Sequence, residues 1–238
     1  MNLKRTAALL IAGAVLANVA FLWLGSVFNY PDVLKEPTTE ILQLFTENQP
    51  AVIAGFVTLA LASAVLGFVA VGVGRLSNDR AMRWAVPVGV GAAVVQVVGL
   101  LRWPLLVPGF ATDAASGDPA SAAAAVDSFE TAHRILGNLI GETFGYLLTA
   151  AWTMLVVIAL GKAFAGRWFV VLGATSSILV LLGVLSPFDV PGVDLANFVG
   201  YILWSLWLLS FAGVLLRRDR RGAVEVTDDE ARQTAKSR

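Results

Sequence analysis

Apolar runs of membrane length recur six times along the chain, at roughly 6–28, 51–74, 84–108, 139–161, 168–188 and 193–216. A helix rises about 1.5 Å per residue and the hydrocarbon core of a bilayer is about 30 Å thick, so each run is long enough to cross as a helix. The pattern predicts an all-α fold, a polytopic bundle of six transmembrane helices in one membrane domain over 1–216. Polar pieces remain at 29–50 and 109–138, and in a tail over 217–238. Within the first piece, Val33, Leu34, Ile41, Leu42, Leu44 and Phe45 sit among acids, as in a short amphipathic surface helix or lid. Residues 109–126 are rich in Ala, Gly, Ser, Asp and Pro and read as a mobile outer loop.

Composition agrees with the pattern, since 57% of residues are hydrophobic and only 14% charged, which excludes a soluble domain. Net charge is zero, but the charges are one-sided. Lys4, Arg5, Arg75, Arg80, Arg83, Lys162, Arg167, Arg217, Arg218, Arg220 and Arg221 flank alternate loops. The opposite loops carry Asp32, Glu36, Glu40, Glu47, Asp113, Asp118, Asp127, Glu130, Asp189 and Asp194 against Lys35 and Arg134. Basic loops stay cytoplasmic, so both termini are expected inside, in a multi-pass protein of the cytoplasmic membrane. The tail's opening Arg217-Arg218-Asp219-Arg220-Arg221 reads as an anchor for anionic lipid rather than a nucleic-acid patch, with a disordered remainder. Lys4-Arg5 and the run behind them resemble a secretory signal. The run continues to Phe28, however, which is too long for a signal core and predicts a retained first helix.

Two ionisable residues interrupt the apolar runs, and in hydrocarbon such residues are functional candidates by default. Arg102 lies 19 residues after Arg83, and Glu142 lies 20 before Lys162. Both therefore rise about 29 Å from the basic end, in one layer near the opposite edge of the hydrocarbon. Asn197, 20 residues before Arg217, falls in the same layer, with Gln96 six residues, a little under two turns, below Arg102. This layer is expected to floor an outward-facing cavity. Two readings stand side by side for Arg102 and Glu142, a ligand-binding or proton-coupled pair and a structural ion pair that locks two helices. Trp103-Pro104 adds a third, an interfacial anchor at a helix end.

The fourth run carries two overlapping stripes. Gly137, Gly141 and Gly145 recur every four residues, the small-xxx-small spacing that lets helix backbones approach closely in lipid. Asn138, Glu142, Gly145 and Thr149 place an amide, a carboxylate and a hydroxyl on one face, read as turned inward. Helix extended back to Asp127 would carry His133 beyond the membrane surface, whereas a break near Gly137 would return it towards Glu142 and Arg102. His133, the single histidine, reads foremost as a surface or capping residue. Glu130 and His133 have metal-helix spacing, but a site would need a second copy to complete it, so no metal is expected. One histidine and no cysteine leave haem, disulfide and thiolate chemistry without ligands, and Lys162 reads as a helix-end anchor rather than a Schiff-base lysine. No cofactor is expected. The seven tryptophans read as interfacial belts and helix packing.

Gly99-Leu100-Leu101-Arg102-Trp103-Pro104, then His133, then Gly141-Glu142, Gly145-Tyr146 and Trp152, make the chain resemble a bacterial family of six-helix integral membrane proteins. That family is known only as a domain of unknown function. The resemblance covers about 5–216 and implies a fold; it lends weight to Arg102, His133 and Glu142 and transfers no activity. The expected function is binding or transport of a small or lipophilic ligand. In it Arg102 holds an anionic or carbonyl group, Glu142 balances the charge, and Asn138, Gln96 and Asn197 orient the ligand. A structural or regulatory subunit, its glycine stripe packed on a partner, is the alternative, with membrane lipids and either a second copy or another membrane protein as partners. An enzyme acting on a lipophilic substrate ranks below both, because no nucleophile, metal cluster or cofactor motif accompanies these residues.

Overall fold

The protein is described by a computed structural model for residues 2–188 and 190–236, with side chains as far as Arg221. Asp189 and the side chains beyond Arg221 lie outside the described residues, and the expectation of a disordered remainder falls there. Nine α-helices are described: α1 (Leu3–Phe28), α2 (Thr38–Glu47), α3 (Gln49–Val73), α4 (Arg80–Leu105), α5 (Val107–Ala114), α6 (Pro119–Ala132), α7 (Gly145–Ala165), α8 (Arg167–Leu182) and α9 (Val193–Lys236). No strand occurs among the described residues. Polar caps set the starts. Asn2 accepts from the Arg5 N–H and Asp79 from that of Ala81, and Asp118 accepts from Ser121, directly before Pro119.

Six helical stretches are long and apolar enough to cross a membrane: α1, α3, α4 running on into α5, the 47 residues Pro119–Ala165, which kink at Gly161, α8 and α9. This is a multi-pass membrane protein. The stretches pack in chain order, α1 on α3, α3 on α4, α4 on α7, α7 on α8, α8 on α9, and α9 back on α1, which closes a ring. The basic residues gather at one end, where Lys4 pairs with Asp219 at 3.3 Å.

The core divides by height. Towards the basic end Trp152, Trp207, Phe169, Phe211, Met82 and Leu215 pack one apolar cluster. Towards the other end a second cluster gathers Phe28, Phe45, Phe56, Phe129 and Val107 around Trp103. Trp103 is fully buried, stacked on Phe56 at 4.6 Å and edge-on to Phe28 at 5.2 Å. It is therefore no interfacial anchor, unlike Trp23, Trp84 and Trp168, which are exposed. Between the clusters runs a polar layer in which Ser63 donates to Gln96 and Gln96 donates to Thr149.

The cap over the second cluster differs from the expected loop. Residues 109–126 form most of α5 and the start of α6, with a turn at Ser116 and Gly117, because alanine favours helix and Asp118-Pro119 starts one cleanly. The lid segment is α2, which buries Ile41, Leu42 and Phe45 and is tied to α6 by Thr38 donating to Glu130 at 2.9 Å. The indole N–H of Trp103 is buried without an acceptor among the described residues. Trp103→Phe, which removes that donor with little loss of ring area, is expected to cost under about 1.5 kcal/mol, and Trp103→Ala about 3–5 kcal/mol. Thermal unfolding in detergent measures both.

Candidate functional site

The fourth crossing stretch runs without a break as far as Leu160, where Gly161 (φ 58°, ψ −165°) kinks it, and it is not uniformly α-helical. From His133 to Phe144 it is wound as a π-helix, whose i→i+5 bonds put more residues in each turn than the roughly 3.6 of an α-helix. Residues four apart then stay nearly in line. His133, Gly137, Gly141 and Gly145 have that spacing, and the three glycines face successive side chains of α4. A Cβ at Gly137 would lie 2.8 Å from Arg102 Nη2, one at Gly141 would lie 3.1 Å from the Gly99 Cα, and one at Gly145 would lie 3.1 Å from Gln96 Cγ. Where Gly99 meets Gly141 the two backbones are in contact. The stripe is used inside the ring, so a subunit that offers it to an outside partner is not this structure.

Arg102 lies flat over Gly137 and is 6% exposed. Its Nη1 donates to the Gly99 carbonyl at 2.6 Å, and its Nη2 lies 3.3 Å from His133 Nδ1. A guanidinium has donors only, so Nδ1 must accept, which assigns a neutral His133 with its proton on Nε2. His133 in turn stacks on Phe129 with ring planes 2° apart, and Phe129 touches Trp103. The helix runs on unbroken back to Pro119, as the first of the two expectations has it, and His133 is half-buried against Arg102. It reaches Arg102 along an unbroken helix. Arg102 Nε is buried without a partner among the described residues.

Arg102 and Glu142 do not form an ion pair. Among the described residues the pairs within 4 Å are Lys4 with Asp219 and Lys35 with Asp32. Depth alone places the two charges together, but Arg102 turns across Gly137 towards His133 while Glu142 sits more than one turn further along. The chain has three tyrosines. Tyr30, Tyr146 and Tyr201 are within electrostatic reach of the Glu142 carboxylate, and Tyr30 senses Arg102 as well. Burial, followed by the Glu142 charge, pushes the Tyr30 hydroxyl above its usual range and keeps it a donor. The Tyr146 and Tyr201 rings meet at 5.9 Å.

The remaining candidates separate. Gln96 is used on both sides, by Ser63 and Thr149. Asn138 is half-buried and has no hydrogen bond among the described residues. Asn197 donates to the Val180 carbonyl at 2.8 Å and fills the space beside Gly183, so it holds α9 to α8 rather than facing Arg102.

Residues 6–212 match the family model described as a domain of unknown function, DUF4386. The chain belongs to that family. No curated protein matches it, and no solved structure does. In this DUF4386 protein the residues that sequence reasoning passed over are the tyrosines. Tyr30 belongs to a polar connection by sequence, and no spacing joins it to Tyr146 and Tyr201 on two other helices.

Close packing generates a test. Gly99→Ala and Gly137→Ala each put a methyl where backbone or guanidinium already sits, and each is expected to cost about 1–3 kcal/mol. Gly213→Ala, with open space around it, should change stability by under about 0.5 kcal/mol. His133→Ala removes the Nη2 acceptor, for an expected loss of about 1–3 kcal/mol, part of which His133→Asn restores through its amide oxygen. Melting curves of the five proteins in one detergent check the order.

Proposed function

We propose that this protein binds, and in an assembled form transports, a small dipolar ligand in the polar layer beneath the α2, α5 and α6 cap. The supporting observation is that two opposite charges share this layer and neither is ion-paired among the described residues. Arg102 cannot shed its charge and is buried, which in an apolar bundle is costly unless the charge answers to something. A ligand with an anionic or carbonyl group towards the Arg102 side, and a donor or cationic group towards Glu142 and the tyrosine rings, answers both. Gln96 is held by Ser63 and Thr149 and acts as the floor. The α2 lid is the entry side, because its tie to α6 is a single exposed hydrogen bond.

Direction follows from charge. The basic end carries Arg75, Arg80, Arg83, Lys162 and Arg167 and is cytoplasmic by the positive-inside rule, so the site opens to the outside of a cytoplasmic membrane. Six helices are few for a lone transporter, and the transport reading therefore requires more than one copy.

The test is native mass spectrometry of the protein extracted in a mild detergent, for wild type, Arg102→Leu and Glu142→Gln. A small molecule or lipid retained by wild type and lost from both variants is the expected result. Glu142→Gln is isosteric and breaks no ion pair, so its melting temperature should stay near wild type and loss of ligand from it cannot be blamed on misfolding. Wild type without a bound molecule, or one that survives both changes, overturns the proposal.

A further inference from the structure

On the outside of the ring, one polar side chain stands where only hydrocarbon is expected. Asn18 falls on the same stripe of α1 as Ile11, Val15 and Leu22, which are 37%, 48% and 76% exposed. It is itself exposed, at the seam where α1 packs on α9. It lies 14 residues from Lys4, and Ser205 on α9 lies 12 from Arg217. Both are therefore about 18–21 Å from the basic end, near the middle of the hydrocarbon and beyond the reach of headgroups or water.

The hydrogen-bond count at this seam is incomplete in a specific way. Asn18 Nδ2 donates to the Ala14 carbonyl at 2.7 Å and to Ser205 Oγ at 3.0 Å, which uses both of its hydrogens. Its Oδ1 accepts from nothing among the described residues. Ser205 Oγ accepts from Asn18, and its own O–H finds no acceptor among the described residues. One free acceptor and one free donor thus stand side by side, at one depth, facing lipid. A lipid tail offers neither, and an amide oxygen left bare in hydrocarbon costs several kcal/mol.

We infer that two copies of this chain associate in the membrane through the α1/α9 seam, the Ser205 hydroxyl of each donating to Asn18 Oδ1 of the other. A twofold axis along the membrane normal keeps both copies at the same depth and makes a contact of residue i with j reciprocal. A side-by-side donor and acceptor satisfies itself under that operation, giving two new hydrogen bonds from one pattern. Ile202, Leu206 and Leu209 of α9, exposed by 42%, 50% and 38%, flank the pair and supply the van der Waals contact that drives association in lipid. The inference is independent of the ligand site, which faces the ring interior.

The chain has no cysteine, so a single introduced one reports cleanly. Full-length Val15→Cys and Val94→Cys, the latter exposed on α4 across the ring, are oxidised in membranes. A disulfide-linked dimer from Val15→Cys and none from Val94→Cys is expected. Single-molecule photobleaching in vesicles then gives the dimer Kd, which should rise about tenfold in Asn18→Leu and in Ser205→Ala, while Ser205→Thr, which keeps the donor, stays near wild type. Melting curves verify that these surface changes leave the monomer folded. A protein monomeric at all protein-to-lipid ratios, a dimer indifferent to both substitutions, or cross-linking of Val15→Cys only to a different membrane protein overturns the inference.

Discussion

A guanidinium brings five N–H donors and a charge that it does not lose, so a bundle that buries one must provide acceptors nearby and room for a flat group. At Arg102 the room is the missing side chain of Gly137, and the acceptors are the Gly99 carbonyl and the His133 ring. Each provision depends on the closeness of α4 and the π-helical stretch, and that closeness depends on the backbone contact of Gly99 with Gly141. Separate the two helices by the width of a methyl group and the guanidinium loses its bed and its second acceptor together. The aromatic cluster would follow, because Phe129 lies between His133 and Trp103, and Trp103 is what α2 and α5 close upon.

The π winding belongs to the same constraint. In an α-helix, residues four apart advance around the axis by somewhat more than one turn, so a row from His133 to Gly145 would drift away from α4 over three intervals. Wider winding takes up that excess and holds the row against one partner helix. Such segments are rare and are frequently found at functional sites. Here the segment brings His133 to Arg102 without a break in the chain.

The six crossings are legible in the sequence because a run of apolar residues at about 1.5 Å per residue leaves few other fates. Counting from basic ends also places Arg102 and Glu142 in one layer, since helix rise is regular. Rotation about the axis is a different matter. Depth says nothing about which way a side chain leaves its helix, so an ion pair between Arg102 and Glu142 follows from the count but not from the structure. Asn197 has the right depth and the wrong azimuth. The two expectations for His133, a straight helix or a break, both assume α winding, and no residue in His133–Phe144 announces otherwise. Residues 109–126 mislead for a chemical reason: alanine is small enough to read as loop filler, yet it is the strongest helix former. The tyrosines on α7, α9 and the connection after α1 converge only once the ring closes, and closure is a long-range event that no local pattern encodes.

The polar groups within this bundle divide by how completely they are satisfied, and the division carries information about role. Gln96, Thr149 and Ser63 satisfy one another between two apolar clusters, and Asn197 is spent on a neighbouring carbonyl. Groups so placed fix helix register and ask for nothing further. Arg102 is served at both terminal nitrogens but not at Nε, and Glu142 has no hydrogen-bond partner among the described residues. In water such gaps are filled at no cost, whereas in a bilayer each must be closed by something of the right polarity or carried as strain. The unmet groups inside the ring and the unmet pair on its outer seam are separate sites with different geometry. One faces the interior of the ring, and the other lies on its outer surface.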